Sequence, residues 1–452
     1  MDDPENPELT PANDNPWYWL ATVYGEQTGG FIDENLEKKN RIAWNAWVAA
    51  ALSEEKRKTL IENGFTNNEL TTFSDLAKTK HYAAALKRSG REDISLPNPF
   101  DRPDFSKNYF EKNCAFKGYL FPQGVTFASA TFSQEANFSG AIFLEDSYFS
   151  SATFTTFANF NSTTFMGAAV LNLVTIKQLG LFMSATFDDF ASFKSSIFKD
   201  GVSFTSAKFA GETVFEAVVF SGPVNFDSAE FKAPIRFNDA RFNSLSSFIN
   251  ATFSSKTAFS GAHFPHFLPE FFGAAFHEGT RWDRAKWPRP PIDQNEAQMQ
   301  VPAYERLKQE MEKLKKHEDE QFFFRKELRA RRELQKRWSF EWWMNFIYEW
   351  TSDYGHSATQ PIFWFIALFE IGVLVWLASS SQRAGLAITL YEAGQISIAK
   401  MLGSFSWIVP VGSEIKVSTK MLAQFFSAFQ SLAGLLLIFL FLLGLRNRFR
   451  LR

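Results

Sequence analysis

The sequence predicts a multidomain chain: an α-helical N-terminal head, a long β-solenoid, and a C-terminal α-helical region with two transmembrane helices. Three observations predict it. Phenylalanine occurs 53 times in 452 residues, against 10 Tyr and 13 Trp, so one apolar residue is being reused by a repeating structure. Through the middle of the chain it recurs with an 11-residue period that neither a 3.6-residue helix nor a period-two strand produces. After Gln360 come two apolar runs, each close to the ~20 residues that a bilayer core requires.

Residues 1–14 are rich in Pro, Asp, Glu and Asn and read as disordered, without the basic start and apolar run of a secretory signal. Residues 15–100 read as the helical head. A helix from Lys38 to Ser53 carries Ile42, Trp44, Trp47 and Val48, and Ser53 before Glu54 and Glu55 reads as the N-cap of the next helix. Asn68–Arg88 reads as one or two more helices. Asn15-Pro-Trp-Tyr-Trp19 and the segment Lys39–Asn45 around Trp44 supply aromatics suited to core packing or docking, with capture of a partner as the alternative. The Pro-rich stretch Leu96–Asp104 closes the head.

The repeat begins near Phe116 and occupies segment 104–288. Its core positions include Phe138, Phe143, Phe149, Phe154, Phe193, Phe198, Phe204, Phe209, Phe215, Phe220, Phe226, Phe231, Phe237, Phe242, Phe248 and Phe253, at steps of alternately five and six residues. Leu171 and Ile176 fill the register where Phe is missing. Ala commonly sits two residues before the second Phe of a pair, as at Ala130, Ala141, Ala152, Ala185 and Ala207.

The pattern, as in Phe138-Ser-Gly-Ala-Ile-Phe143, resembles the Phe-rich class of pentapeptide-repeat proteins. The resemblance implies a right-handed quadrilateral β-helix. Each pentapeptide forms one side, its large central residue points inward, and the small residue two positions earlier fills the space beside it. The six-residue steps depart from the strict five and place an extra residue at alternate corners. That gives roughly 22 residues per coil, about eight coils, and a rod of ~35–40 Å. The register breaks between Phe264 and Phe271, around Pro265 and Pro269. It recovers at Phe276, Trp282 and Trp287, so the last coil reads as an irregular cap.

Charge and motifs exclude several function classes. The formal net charge is −2 and the solenoid's acids and bases nearly balance, so neither nucleic-acid binding nor mimicry of a polyanion, as in some soluble family members, is expected. The one cysteine, Cys114, permits no internal disulfide and suits a reducing compartment. His263, His266 and His277 have no Cys nearby and read as surface histidines, so no metal is expected. No nucleophile elbow, P-loop or dinucleotide fingerprint occurs, and the chain reads as a non-enzyme without a cofactor.

Pro288–Pro291 ends the solenoid. Residues 298–337 read as a charged connecting helix whose stripe of Tyr304, Leu307, Met311 and Leu314 suits helix pairing. Residues 338–356 set Trp338, Trp342, Trp343, Phe346, Ile347 and Trp350 against a polar stripe of Glu341, Asn345 and Glu349, the pattern of a helix lying in a membrane interface. The spans are 361–380 and 421–445, and the tail 446–452 is basic. Those arginines and the basic segment before Trp338 place both termini in the cytoplasm of a bacterium, with the spans in its inner membrane.

Between the spans, 396–412 is apolar but too short to cross. It reads as a re-entrant or pore helix, with Gly412 giving its turn backbone freedom. This order resembles two-helix pore-loop channels. The likeness covers only the C-terminal region, and without a Thr-Val-Gly-Tyr-Gly filter it implies no potassium selectivity. The whole chain resembles bacterial membrane-associated pentapeptide-repeat proteins.

Glu370, at the middle of the first span, is either functional or a paired structural acid. In the second span Ala423, Ser427 and Ser431 follow a small-xxx-small spacing, with Gly434, Gln424 and Gln430 nearby. They suit helix packing or pore lining. Two functions follow. One is an oligomeric channel-like membrane protein with a cytoplasmic repeat domain for sensing or assembly. The other is a membrane-anchored scaffold whose solenoid or head binds a protein. They divide on whether 396–411 enters the bilayer.

Overall fold

The 11-residue period is half of a coil. The computed structural model describes residues 9–62, 65–71, 77–81, 83, 87, 96–380, 390–403 and 421–450, in two units, 1–289 and 290–452. In the first unit, strands of two or three residues recur from β2 (Asn108–Phe110) to β29 (Thr257–Ala258). Each pairs in parallel with the strand one coil, or 22 residues, further on, as Thr131 with Thr153 and Thr153 with Thr175. Four parallel sheets result, one per side of a quadrilateral solenoid with seven regular coils.

Single bridges from Ser247 to Glu270, Thr252 to Ala275 and Ala258 to Arg281 add an eighth, irregular coil. These partners are 23 residues apart, so the break at Pro265–Pro269 is a one-residue insertion, and Phe276, Trp282 and Trp287 continue the stack in the shifted register.

Two kinds of corner explain the alternating steps. In the five-residue step the small residue's N–H donates to the carbonyl three residues back, as Ala130 to Phe127 (3.0 Å) and Ala152 to Phe149 (2.9 Å). The residue just before it is left-handed: Ser129 at φ 58°, Gly140 at 65°, Ser151 at 61°. Short polar residues and glycine tolerate that conformation, and Ser, Asp239 and Asn250 fill most of these positions. The six-residue step carries its extra residue at the opposite kind of corner, without this tight turn.

The core is a set of phenylalanine ladders. Every core phenylalanine predicted between Phe138 and Phe253 is buried. Phe204 stacks on Phe182 at 4.8 Å and on Phe226 at 4.9 Å, and meets Phe193 and Phe215 edge to face. Ring spacing therefore matches strand spacing, so one sequence choice satisfies both the ladder and the core. Ser196 occupies an alanine slot. Its hydroxyl donates to the Leu171 carbonyl (2.6 Å) and accepts from Val174 N (3.0 Å), so no polar atom there is stranded. The stack starts two coil sides earlier than Phe116: Phe105 lies on Phe127 at 4.8 Å and Phe110 on Phe132 at 4.6 Å. The charged residues and Cys114 between them hide the repeat's alanine pattern.

The head seals the first coil. β1 (Thr10–Pro11) pairs with β2. Asn15 caps α1 (Pro16–Ala21) by accepting from Trp17 N. Asp33 caps α2 (Glu34–Val48), which therefore starts before Lys38, and a 3-10 turn at Ala49–Ala51 ends it. Trp44 Nε1 donates to Leu120 O (2.8 Å), Asn45 Oδ1 accepts from Leu120 N (2.9 Å), and Tyr119 OH donates to Ala21 O (2.8 Å). These bonds occupy backbone groups that an open coil edge would expose. The aromatic motif is thus a docking surface for the chain's own solenoid. Ser53 accepts from Lys56 N at the start of α3 (Glu54–Glu62), and α4 is Asn67–Thr71. Much of the predicted 68–88 helix lies outside the described residues.

In the second unit the predicted connecting helix is two helices, α5 (Gln294–Lys313) and α6 (His317–Leu334). Lys315 is left-handed (φ 55°) and turns the chain back. The Tyr304–Leu307–Met311 stripe then pairs within the chain. Lys308–Glu327 (2.6 Å) and Arg331–Glu305 (3.1 Å) ion pairs fix an antiparallel hairpin.

Replacing Phe204 with Ala in a chain of residues 1–289 should lower unfolding free energy by about 3–5 kcal/mol, read by denaturant titration. Phe204→Asp should cost more, because it leaves a charge unpaired in the stack. Unchanged midpoints for both would contradict the ladder.

Candidate functional site

The two apolar runs form α8 (Thr359–Ser380) and α10 (Met421–Arg450), both long and apolar enough to cross a membrane. Only 17% and 28% of their apolar windows are buried within the chain, unlike the covered core helix of a soluble domain. They run antiparallel. At one end Asn447 Nδ2 donates to Gly355 O (2.9 Å) and Gly444 lies against the backbone of Ser357 and Ala358.

A third helix, α9 (Leu390–Leu402), packs against both. Its Ala393 and Ile396 cluster with Trp376, Val373 and Leu377 of α8. A hydrogen-bonded chain then crosses all three helices. Gln430 Nε2 donates to Ser397 Oγ (2.7 Å), and Ser397 Oγ donates to Phe369 O (2.9 Å). Two glycines permit the approach. A side chain at Gly372 would collide with Gln430 and Ser397, and one at Gly434 would collide with the Met401 backbone. Gly372 and Gly434 lie near the middles of their helices, so α9 is held at mid-length of the pair.

The short helix predicted at 396–412 thus begins six residues earlier, at Leu390. Tyr391-Glu-Ala-Gly-Gln395 breaks the apolar run, so hydropathy misses this first turn although Ala393 already faces the core. Residues 404–412, including Gly412, lie outside the described residues.

The other predicted site residues separate. Gln430 is fully buried against α9, as is Gly434, so both serve packing inside one chain. Ser427 and Ser431 are half-buried and Gln424 is exposed. Glu370 is exposed on the outer side of α8, in a stripe with Phe363, Ile366 and Leu374. Among the described residues no hydrogen bond or ion pair engages its carboxylate. Ser397 and Gly372 were not singled out in the sequence. The available signal was a lone hydroxyl and a lone glycine inside apolar helices.

The predicted interfacial helix is α7 (Phe340–Ser352), started by Ser339 and ended by left-handed Asp353 (φ 46°). Most of its polar stripe is tied to α6. Glu349 pairs with Arg329 (2.7 Å) and Arg332, Asp353 with Arg329 (2.8 Å) and Arg325, and Asn345 donates to Leu328 O. Tyr354 OH donates to Asn345 Oδ1 (2.7 Å), and burial pushes its phenol pKa up. The opposite face exposes Phe340, Trp343, Met344, Ile347 and Trp350. Lys336 and Arg337, just before α7, and Arg446 and Arg448, at the end of α10, are exposed.

Comparison with protein-family models, with curated proteins and with solved structures finds no match. What the arrangement can do follows from its own chemistry. It holds a helix too short to cross between two that are long enough, using one buried amide, one hydroxyl and two glycines.

Gln430→Leu should cost about 1 kcal/mol in detergent unfolding, the scale of one interhelical hydrogen bond. Gly434→Leu should cost clearly more, because it displaces backbone. Equal, negligible effects would contradict this packing.

Proposed function

We propose that the chain is an oligomeric, channel-like protein of a bacterial inner membrane, with both termini and the solenoid in the cytoplasm and the solenoid serving sensing or assembly. The observation that carries the reading is α9. Hydrocarbon accepts a helix that stops part-way only where protein covers it or a water-filled path adjoins it. Two long helices around such a short one is the architecture of a pore-loop unit. The exposed cations support the orientation. Arg446 and Arg448 lie at the α10 end that meets Gly355, and Lys336 and Arg337 precede α7, whose aromatic face suits the same interface. Within one chain α9 fills the Gln430–Gly434 face, so a conduit runs between copies.

A second reading is a membrane-anchored scaffold. Leu179, Val202, Val224 and Leu245 line a groove of about 500 Å3 along one side of the solenoid, and that groove favours a protein partner.

The test is ion flux from liposomes reconstituted with the full chain. Wild type should conduct and Gly434→Leu should not. A wild type that is silent and carries one copy per particle would favour the scaffold.

A further inference from the structure

Among the described residues Glu370 is an acid with no partner, on a face that otherwise presents Phe363, Ile366 and Leu374. If α8 crosses a bilayer, this carboxylate sits in hydrocarbon. An ionised group at the centre of a span is costly, and such groups are turned inward or paired. None of the described residues covers it, and a second copy of the chain can.

We infer that Glu370 is a contact between copies, its carboxylate accepting a hydrogen bond from the Ser431 hydroxyl on α10 of a neighbouring copy, with Ser427 one turn beyond. The inference rests on the oligomeric membrane reading and names the contact that reading requires. Depth selects the donors. Gly372 meets Gln430, and Glu370 lies two residues, or about 3 Å, along α8 toward the Gly355 end. That is the level of Ser431. Copies arranged around an axis along the membrane normal keep equal depths, so Glu370 of one copy faces the Ser431 level of the next.

Shape and chemistry agree with depth. Ser427, Ala428 and Ser431 leave a shallow strip on α10 beside the bulky Phe425, Phe429 and Leu432, which lets a second helix approach closely. Ser427 and Ser431 make no hydrogen bond through their side chains among the described residues, so their donors are available. The contact joins different faces of α8 and α10, a head-to-tail arrangement that closes into a ring.

The test is disulfide trapping in membranes with the full chain, in a Cys114→Ala background. Cys114 pairs in register with Ala136, so Ala fits that slot. Two differently tagged chains are co-expressed, one with Glu370→Cys and the other with Ser431→Cys. Oxidation should give the mixed dimer. Glu370→Cys with Leu442→Cys, on the outer side of α10 but about 16 Å lower, should not. In otherwise wild-type chains Glu370→Gln should keep the oligomer in mild detergent, and Glu370→Leu should reduce it at least tenfold. An oligomer that gives no 370–431 product, or that survives Glu370→Leu undiminished, overturns the contact and leaves assembly standing. A monomeric wild type overturns both.

Discussion

A polar group removed from water has to find its partner inside the protein, and both halves of this chain are organised by that requirement. In the solenoid the partner is the next coil. Phe149 N donates to Val170 O and Phe160 N to Leu181 O, one coil further along. An endless ladder would leave its first coil bare, and β1, Trp44 and Asn45 close it. In the C-terminal region the long helices satisfy their own backbones, and the buried Gln430 amide N–H donates to the Ser397 hydroxyl, while Gln430 Oε1 has no partner among the described residues. Glu370, exposed on the outer side of α8, has no partner among the described residues.

The phenylalanine ladder was legible because its geometry is commensurate with the backbone. A ring stack near 4.8 Å coincides with strand separation, so every coil repeats the same residue at the same place and the period shows directly in the sequence. Where that coincidence is interrupted, the reading weakens. Phe105 and Phe110 belong to the stack, yet the charged Lys112 and the head's contacts interrupt the pattern around them. The break near Pro265 looked like lost register and is one inserted residue. The hairpin turn at Lys315 left no proline or glycine to mark it. The left-handed backbone and the Lys308–Glu327 and Arg331–Glu305 pairs show that the chain folds back.

In the C-terminal region composition identified the elements but not their facing. Gln430, Ser427 and Ser431 are close in sequence, and the helix sends the first into the α9 contact and leaves the other two half-covered. Glu370 was conspicuous as the one acid in its run, but its direction depends on which side of α8 takes α9. Gly372 and Ser397 decide that, and neither stands out by residue type. The polar stripe of α7 was read correctly as one face. Its partner was hidden, because the basic residues that occupy it come from α6.

On the proposed reading, a short helix held between two spans, with an acid on the outer face that no described residue partners, belongs to an assembly of several copies in a bilayer. Single-particle imaging of the full chain in lipid nanodiscs addresses it most directly. Copies should be arranged around one axis normal to the bilayer, with Glu370 of each at a subunit contact. A single copy per disc, with Glu370 facing lipid, would contradict it.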